Sequence, residues 1–220
     1  MTLFNRRRKV FSRIYLYALA VCVLSTYLYI NIVDDLVNKE TVTNLDQLLY
    51  GGISSLWSGP LTQFMVLITN LGSTFALLSF SVALGLVLAY RKKWYKLVFL
   101  AASMLLGLML ELLTKQFVQR PRPDGLIPVT GYSFPSGHAT MAIIFFAVAL
   151  FTYKGELKAL WLWYSFVVLM VALPLLIAFS RIYLRVHYFS DVIGGLLLGV
   201  FVLCFTLLVL RLFWKTKNLY

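Results

Sequence analysis

Uninterrupted apolar runs constrain this chain more than any other feature, because several approach or exceed the roughly 20 residues that a helix needs to cross about 30 Å of hydrocarbon. Six runs are long enough to be read as spans: 14–33, 73–90, 95–114, 139–153, 161–179 and 192–214. The fourth is short. Of the 220 residues 61% are hydrophobic and 13% charged, and no aqueous core of this size buries so large an apolar share. Backbone polar groups in lipid must be satisfied within each segment, so the reading is an all-α integral membrane protein. It forms one membrane domain over 1–220, with no internal repeat or low-complexity linker. The first run follows Arg6, Arg7, Arg8 and Lys9 but is too long for a signal peptide and lacks a small-residue cleavage site, so it is expected to stay as an anchor.

Charge gives the orientation. With the N-terminus in the cytoplasm, the inner segments hold Arg6, Arg7, Arg8, Lys9, Arg13, Arg91, Lys92, Lys93, Lys96, Lys154, Lys158, Arg211, Lys215 and Lys217, fourteen of the twenty Lys and Arg. The outer segments keep Lys39, Lys115, Arg120, Arg122, Arg181 and Arg185. That split obeys the positive-inside rule and places both termini in the cytoplasm. Trp57, Trp94, Trp161, Trp163 and Trp214 fall near span ends or in the outer connection, as headgroup-level anchors do. Between spans one and two, residues 34–72 combine Val42, Leu45, Leu48 and Leu49 at helical spacing with Asp34, Asp35, Glu40 and Asp46. Short amphipathic helices on the outer surface are expected there, with 61–70 either re-entrant or an early part of span two.

The formal net charge of +12 does not argue for nucleic acid, since no soluble basic domain exists to hold a duplex and a Lys/Arg excess in a membrane chain serves orientation and anionic lipid. Cys22 and Cys204 sit inside apolar runs and are read as unpaired packing residues. Gly195 and Gly199, four apart in span six, are read as a site of close helix approach.

The outer ends of spans three to six collect an unusual polar set: Lys115, Arg120, Arg122, Ser136, His138, Arg181, Arg185, His187 and Asp191, with both histidines of the chain among them. Cations on the disfavoured face call for an anion held by several donors, and a phosphate ester answers that description. Each element also has a plainer reading. Ser136 in Pro135-Ser136-Gly137-His138 is a natural N-cap, although the same helix start, with Gly137 allowing close approach, makes an anion site. His187 and Asp191 share a helix face; Asp191 is either an N-cap or the carboxylate that orients the imidazole for attack. Glu111 and Lys115 share the same spacing and read as an ion pair that positions Lys115, and Asp124 after Arg122-Pro123 reads as a turn residue. The histidines and outer carboxylates do not make the clustered ligands of a two-metal phosphatase, so no metal and no cofactor is expected.

Three motifs bring these residues into one pattern. Lys115 through Arg122-Pro123 reads K-x6-R-P, Pro135 to His138 reads P-S-G-H, and Ser180-Arg181 through His187 to Asp191 reads S-R-x5-H-x3-D. All eleven specified positions agree, in order, within 115–191. The chain therefore resembles the type 2 phosphatidic acid phosphatase superfamily. The resemblance implies a six-helix membrane fold and a metal-independent reaction through a phosphohistidine. Carried over by position, His187 is the nucleophile, Asp191 orients it, and His138 protonates the leaving alkoxide. Lys115, Arg122, Ser136, Gly137 and Arg181 hold the phosphoryl oxygens. Arg120 is an auxiliary phosphate contact on this reading, and Arg185 a contact for headgroups or for a second anionic group of the substrate.

A site at the outer ends of membrane helices suits a lipid phosphate whose tail remains in the bilayer of the cell membrane. The compact chain resembles the bacterial type B phosphatidylglycerophosphate phosphatases, which implies conversion of phosphatidylglycerophosphate to phosphatidylglycerol. Undecaprenyl pyrophosphate is the alternative substrate, followed by phosphatidic acid and diacylglycerol pyrophosphate. A non-enzymatic lipid or anion transporter is the alternative of another class. The sequence sets no oligomeric state.

Overall fold

A computed structural model describes residues 3–38 and 41–213. Expectations resting on Lys39, Glu40, Trp214, Lys215 and Lys217 lie outside the described residues. Eight α-helices are present there: α1 (Leu3–Asn38), α2 (Thr41–Ile53), α3 (Gly59–Leu71), α4 (Thr74–Tyr90), α5 (Trp94–Val118), α6 (Gly137–Tyr153), α7 (Leu160–Tyr183) and α8 (Phe189–Phe213). A single 3-10 turn, Ser54–Leu56, joins α2 to the strand-free connection before α3.

Four helices are long and apolar enough to cross a bilayer, namely Arg13–Asn38, Trp94–Val118, Leu160–Tyr183 and Phe189–Phe213. A fifth crossing is available if α3 and α4, which meet at 46°, make one bent span. The remaining apolar helix, α6, has 17 residues, about 25 Å at 1.5 Å per residue. Length and composition thus carry four to five of the six expected spans.

The helices overrun the apolar runs. α1 continues past residue 33 through Asp34 and Asp35 to Asn38, whose side chain donates to Asp34 Oδ1 at 3.1 Å. Within 34–72, residues 34–38 are the end of α1, and the short helices α2 and α3 follow at 41–53 and 59–71. Residues 61–70 belong to α3, which packs on α7, and Ser73 starts α4 afresh by accepting the Ala76 N–H at 3.3 Å.

α6 is the centre of the bundle, packed against α5, α7 and α8, with Ala139, Ala142, Ile144 and Val148 fully buried. The two span-six glycines allow its approach to α8. A Cβ on Gly195 would press on the Ser136 carbonyl, and one on Gly199 would overlap the Ile143 side chain. Large apolar side chains cover the outside instead, among them Leu16, Phe75, Leu105, Leu113 and Leu160, as lipid-facing surfaces require. The Arg211 guanidinium lies 3.6 Å from the centre of the Tyr15 ring, so the beginning of α1 and the end of α8 lie at one end of the bundle. The ends of α5 and α7 and the starts of α6 and α8 meet at the other.

Candidate active site

Helix ends build the site. α5 stops at Gln119, a left-handed cap (φ 49°) whose N–H bonds the Lys115 carbonyl, leaving Lys115 in the last turn. Lys115 Nζ donates to Glu111 Oε1 at 2.5 Å, the ion pair read from the spacing. From Gln119 to Ser136 the chain is in neither helix nor strand and is stitched to the surrounding elements through its backbone. Ser133 N donates to the Arg120 carbonyl, Leu126 N to that of Leu184, and Ser136 N to that of Asp191. The last of these ties the second motif directly to the third.

α6 then begins at Gly137, and a Cβ there would collide with the Glu111 carboxylate. Glycine is favoured at that position by close approach rather than by backbone angle, since a side chain there would push the Glu111 carboxylate aside. Ser136 is fully buried, caps no helix N–H, and its hydroxyl has no partner. At the end of α7 the chain turns back through Arg185 (φ 53°), and His187 N–H returns to the Arg181 carbonyl at 3.3 Å. This places the imidazole beneath the helix end that carries Arg181.

His187 is held at both nitrogens. Nδ1 faces Asp191 Oδ2 at 3.3 Å, and Nε2 faces Arg122 Nη1 at 3.0 Å. A guanidinium only donates, so Nε2 carries the lone pair and Nδ1 the proton directed at Asp191. Burial pushes the imidazole down to about 4; the hydrogen bond and charge of Asp191 oppose the shift, and Arg181 and Arg122 add to it. The ring is therefore neutral at physiological pH.

The pieces close round a cavity of about 500 Å³. Glu111, Lys115, Arg122, Gly137, His138, Arg181 and His187 line its polar end. Leu77, Leu78, Met104, Leu105, Leu108, Leu112 and Met141 line the rest. Arg122 is anchored by the carbonyls of Gly131 and Val186, both at 2.9 Å, and Arg181 Nη1 donates to Thr69 Oγ1 on α3 at 2.7 Å.

Two expected auxiliary residues point elsewhere. Arg120 lies behind the cavity wall, donating to Asp191 Oδ1 at 2.6 Å, Asp46 Oδ2 at 2.7 Å and Ser190 Oγ at 2.7 Å. Its charge is engaged by two carboxylates, so it is not among the cations lining the cavity. Arg185 stacks on Tyr50, 3.4 Å from the ring centre, with Trp57 at 5.2 Å. Sequence reasoning gave Asp46 only as one of the acidic residues of 34–72, with no link to the site, and did not single out Thr69. Both sit on helices whose partners are far along the chain, and no spacing rule signals such contacts. Among the described residues no group of three or more His, Cys, Asp or Glu is arranged to hold a metal.

Three cations and two histidines meet at the head of an apolar cavity, an arrangement that suits a phosphate ester with an apolar tail, and with the relatives it resembles the class of protein is a membrane phosphatase. The chain belongs to the PAP2 superfamily, whose family model matches residues 96–215. It is 29% identical over 181 residues to phosphatidylglycerophosphatase B of Bacillus subtilis (strain 168), covering 80% of this chain and 89% of that protein. The fold is similar to a crystal structure of a transmembrane PAP2 type phosphatidylglycerolphosphate phosphatase from Bacillus subtilis, with TM-score 0.78, 24% identity and coverage of 89% of this chain and 98% of that one. It is also similar to Aquifex aeolicus LpxE, with TM-score 0.61, 26% identity and coverage of 74% and 94%.

Proposed function

We propose that this protein hydrolyses the terminal phosphate of a membrane lipid, converting phosphatidylglycerophosphate to phosphatidylglycerol through a phosphohistidine at His187. The observation that carries the reading is the His187 imidazole, its Nδ1–H directed at Asp191 and its Nε2 at the wall of a cavity that runs from cations into leucines. The similarity to phosphatidylglycerophosphatase B supports the choice of lipid.

In this reaction the phosphoryl group enters the polar end, displaces Arg122 from Nε2, and is held by Lys115, Arg122, Arg181, the Ser136 hydroxyl and the N-terminus of α6 at Gly137. Nε2 attacks phosphorus, the bond to the lipid oxygen breaks, and His138 gives that oxygen its proton. Water then passes a proton to His138 and attacks phosphorus; the phosphorus–nitrogen bond breaks and inorganic phosphate leaves. The buried, unpartnered Ser136 hydroxyl is the kind of group a phosphoryl oxygen satisfies. No step calls for a metal, because the charge developing on the phosphoryl oxygens meets fixed cations.

The proposed topology has six crossings, with α3 and α4 a single bent span and α6 a short one. Both termini are cytoplasmic, and the site lies on the extracytoplasmic side of the cell membrane. The Lys/Arg distribution and the adjacency of Arg211 and Tyr15 support it.

The test is phosphate release by purified protein in EDTA from phosphatidylglycerophosphate and from undecaprenyl pyrophosphate, with His187→Ala and His138→Ala alongside. Faster, histidine-dependent turnover of phosphatidylglycerophosphate is expected. Preference for the diphosphate would move the enzyme to lipid-carrier recycling. Release that survives His187→Ala would remove the phosphohistidine, and no release from either lipid would favour transport.

A further inference from the structure

α2 is largely exposed, with Leu45, Leu48 and Leu49 facing outward, yet it buries one carboxylate almost completely: Asp46 is 1% exposed. A buried carboxylate persists only where it is fully bonded. Asp46 Oδ1 accepts the Ser190 N–H at 2.9 Å, capping the first turn of α8 from 144 residues away. Its Oδ2 accepts the Ser190 hydroxyl at 2.5 Å and Arg120 Nη2 at 2.7 Å. Arg120 reaches on to Asp191 with Nη1 and stacks on Tyr188, 4.1 Å from the ring centre.

We infer that Asp46 and Arg120 are positioning residues of the phosphoryl-transfer centre, holding Asp191 in place while leaving it one uncompensated negative charge for His187. The inference rests on the proposed roles of His187 and Asp191. A single guanidinium bonded to Asp191 alone would neutralise it. Shared with Asp46, the same guanidinium leaves the trio Asp46, Arg120 and Asp191 with net charge −1. The attacking imidazole becomes cationic as its nitrogen bonds to phosphorus, and the trio then balances that charge. Geometry supports the division of labour: Arg120 and Ser190 engage Asp191 and Asp46 on one side, and Asp191 Oδ2 stays with His187 and the Tyr188 N–H.

The charged and titratable groups around His187 come from every packed element: Lys115 and Glu111 on α5, His138 on α6, Arg181 on α7, Asp191 on α8, Arg122 and Arg120 in the loop before α6, Tyr188 beside His187, and Asp46 and Tyr50 on α2. Asp46 is the member whose charge can be removed without touching either the wall of the main cavity or a side-chain partner of His187. Asp46→Asn keeps the shape and an acceptor for Ser190 but makes the trio neutral. Outer partners that orient metal-bound histidines contribute about 10–100-fold, and a carboxylate that holds the partner of His187 is expected to act on that order. The expectation is a kcat lower by about that factor with KM unchanged, and an acid limb of the kcat profile displaced to lower pH, because the imidazole loses a stabilising anion. A purely structural role would lower thermal stability and leave the acid limb in place.

Rapid-quench labelling with phosphate-labelled lipid separates the layers. If wild type forms no acid-labile phosphoenzyme while His187→Ala is inactive, the phosphohistidine reading beneath the inference fails. If wild type labels and Asp46→Asn labels at the same rate with an unmoved acid limb, the inference itself fails. Arg120→Lys is the second variant should Asp46→Asn not fold. It keeps the charge but not the fork, so slower labelling at unchanged thermal stability is expected, and labelling at the wild-type rate, or a loss that only follows lowered stability, would overturn the positioning role.

Discussion

Arg122 Nη1 donates to His187 Nε2 across 3.0 Å, so the nitrogen assigned to attack is held by a cation assigned to the phosphate. The contact does two things at once. It fixes the tautomer, because Nε2 must be an acceptor, and it keeps the guanidinium at the place proposed for the phosphoryl oxygens.

Arg122→Ala should lower kcat by roughly 10²–10³, the usual effect of removing one donor to a developing oxyanion. Removing a cation beside His187 also makes its protonation easier, so the acid limb should move to higher pH, opposite to the displacement expected for Asp46→Asn. A pH–rate profile of both variants checks the pair of signs. Displacement in the same direction would mean the acid limb belongs to another group.

The wild-type profile follows from the same imidazole. Burial holds the His187 value to about 4, against its ordinary 6.5, so the proton that would block attack binds only in strongly acidic solution. The part of the kcat/KM profile due to His187, which reports the free enzyme, should be flat from neutrality downward and fall as pH drops through about 4. An NMR titration of the phosphate-free enzyme reads the group directly; a midpoint near 6.5 would show that the ring is not desolvated as the packing indicates.

Much of this site was legible because its residues occur at spacings that local geometry constrains. Glu111 and Lys115 lie one helical turn apart, His187 and Asp191 share a turn-like spacing, and Ser136 stands where a helix begins. Spacing also singled out Arg122 over Arg120, and Arg122 is the one at the cavity wall. What escaped was contact between distant segments: the burial of Asp46 depends on α8, and the grip of Thr69 on Arg181 depends on α3 lying against α7. Span ends were misplaced for a different reason. Hydropathy falls at Asp34, but the α1 backbone bonds continue to Asn38, since polar residues at the interface end a hydrophobic run without ending a helix. The count of six crossings rested on α4 and α6, each of 17 residues, which are the lengths at which composition stops being decisive.

Chelation should leave activity unchanged. In the proposed reaction Lys115, Arg122 and Arg181 supply the positive charge, and Asp191, the carboxylate nearest the nucleophile, is occupied by His187 and Arg120. Assays across an EDTA series, with elemental analysis of the purified protein, test this. Loss of turnover restored by a divalent cation would require a different source of charge at the transition state.

Gly137 offers the sharpest test of how tightly the site is assembled. A methyl group there meets the Glu111 carboxylate, which must then leave its place and release Lys115. Gly137→Ala should therefore cost about 1–3 kcal/mol of stability, as other forced overpacking does, and lower kcat further by misplacing Lys115. Glu111→Ala removes the obstacle, so Gly137→Ala introduced on that background should add little to either loss. The coupling measured by the four proteins should be strongly non-additive, since both changes act on one contact. Additive losses would mean that Gly137 matters for the backbone of α6 or for direct approach of the phosphate, and that Glu111 holds Lys115 independently of it.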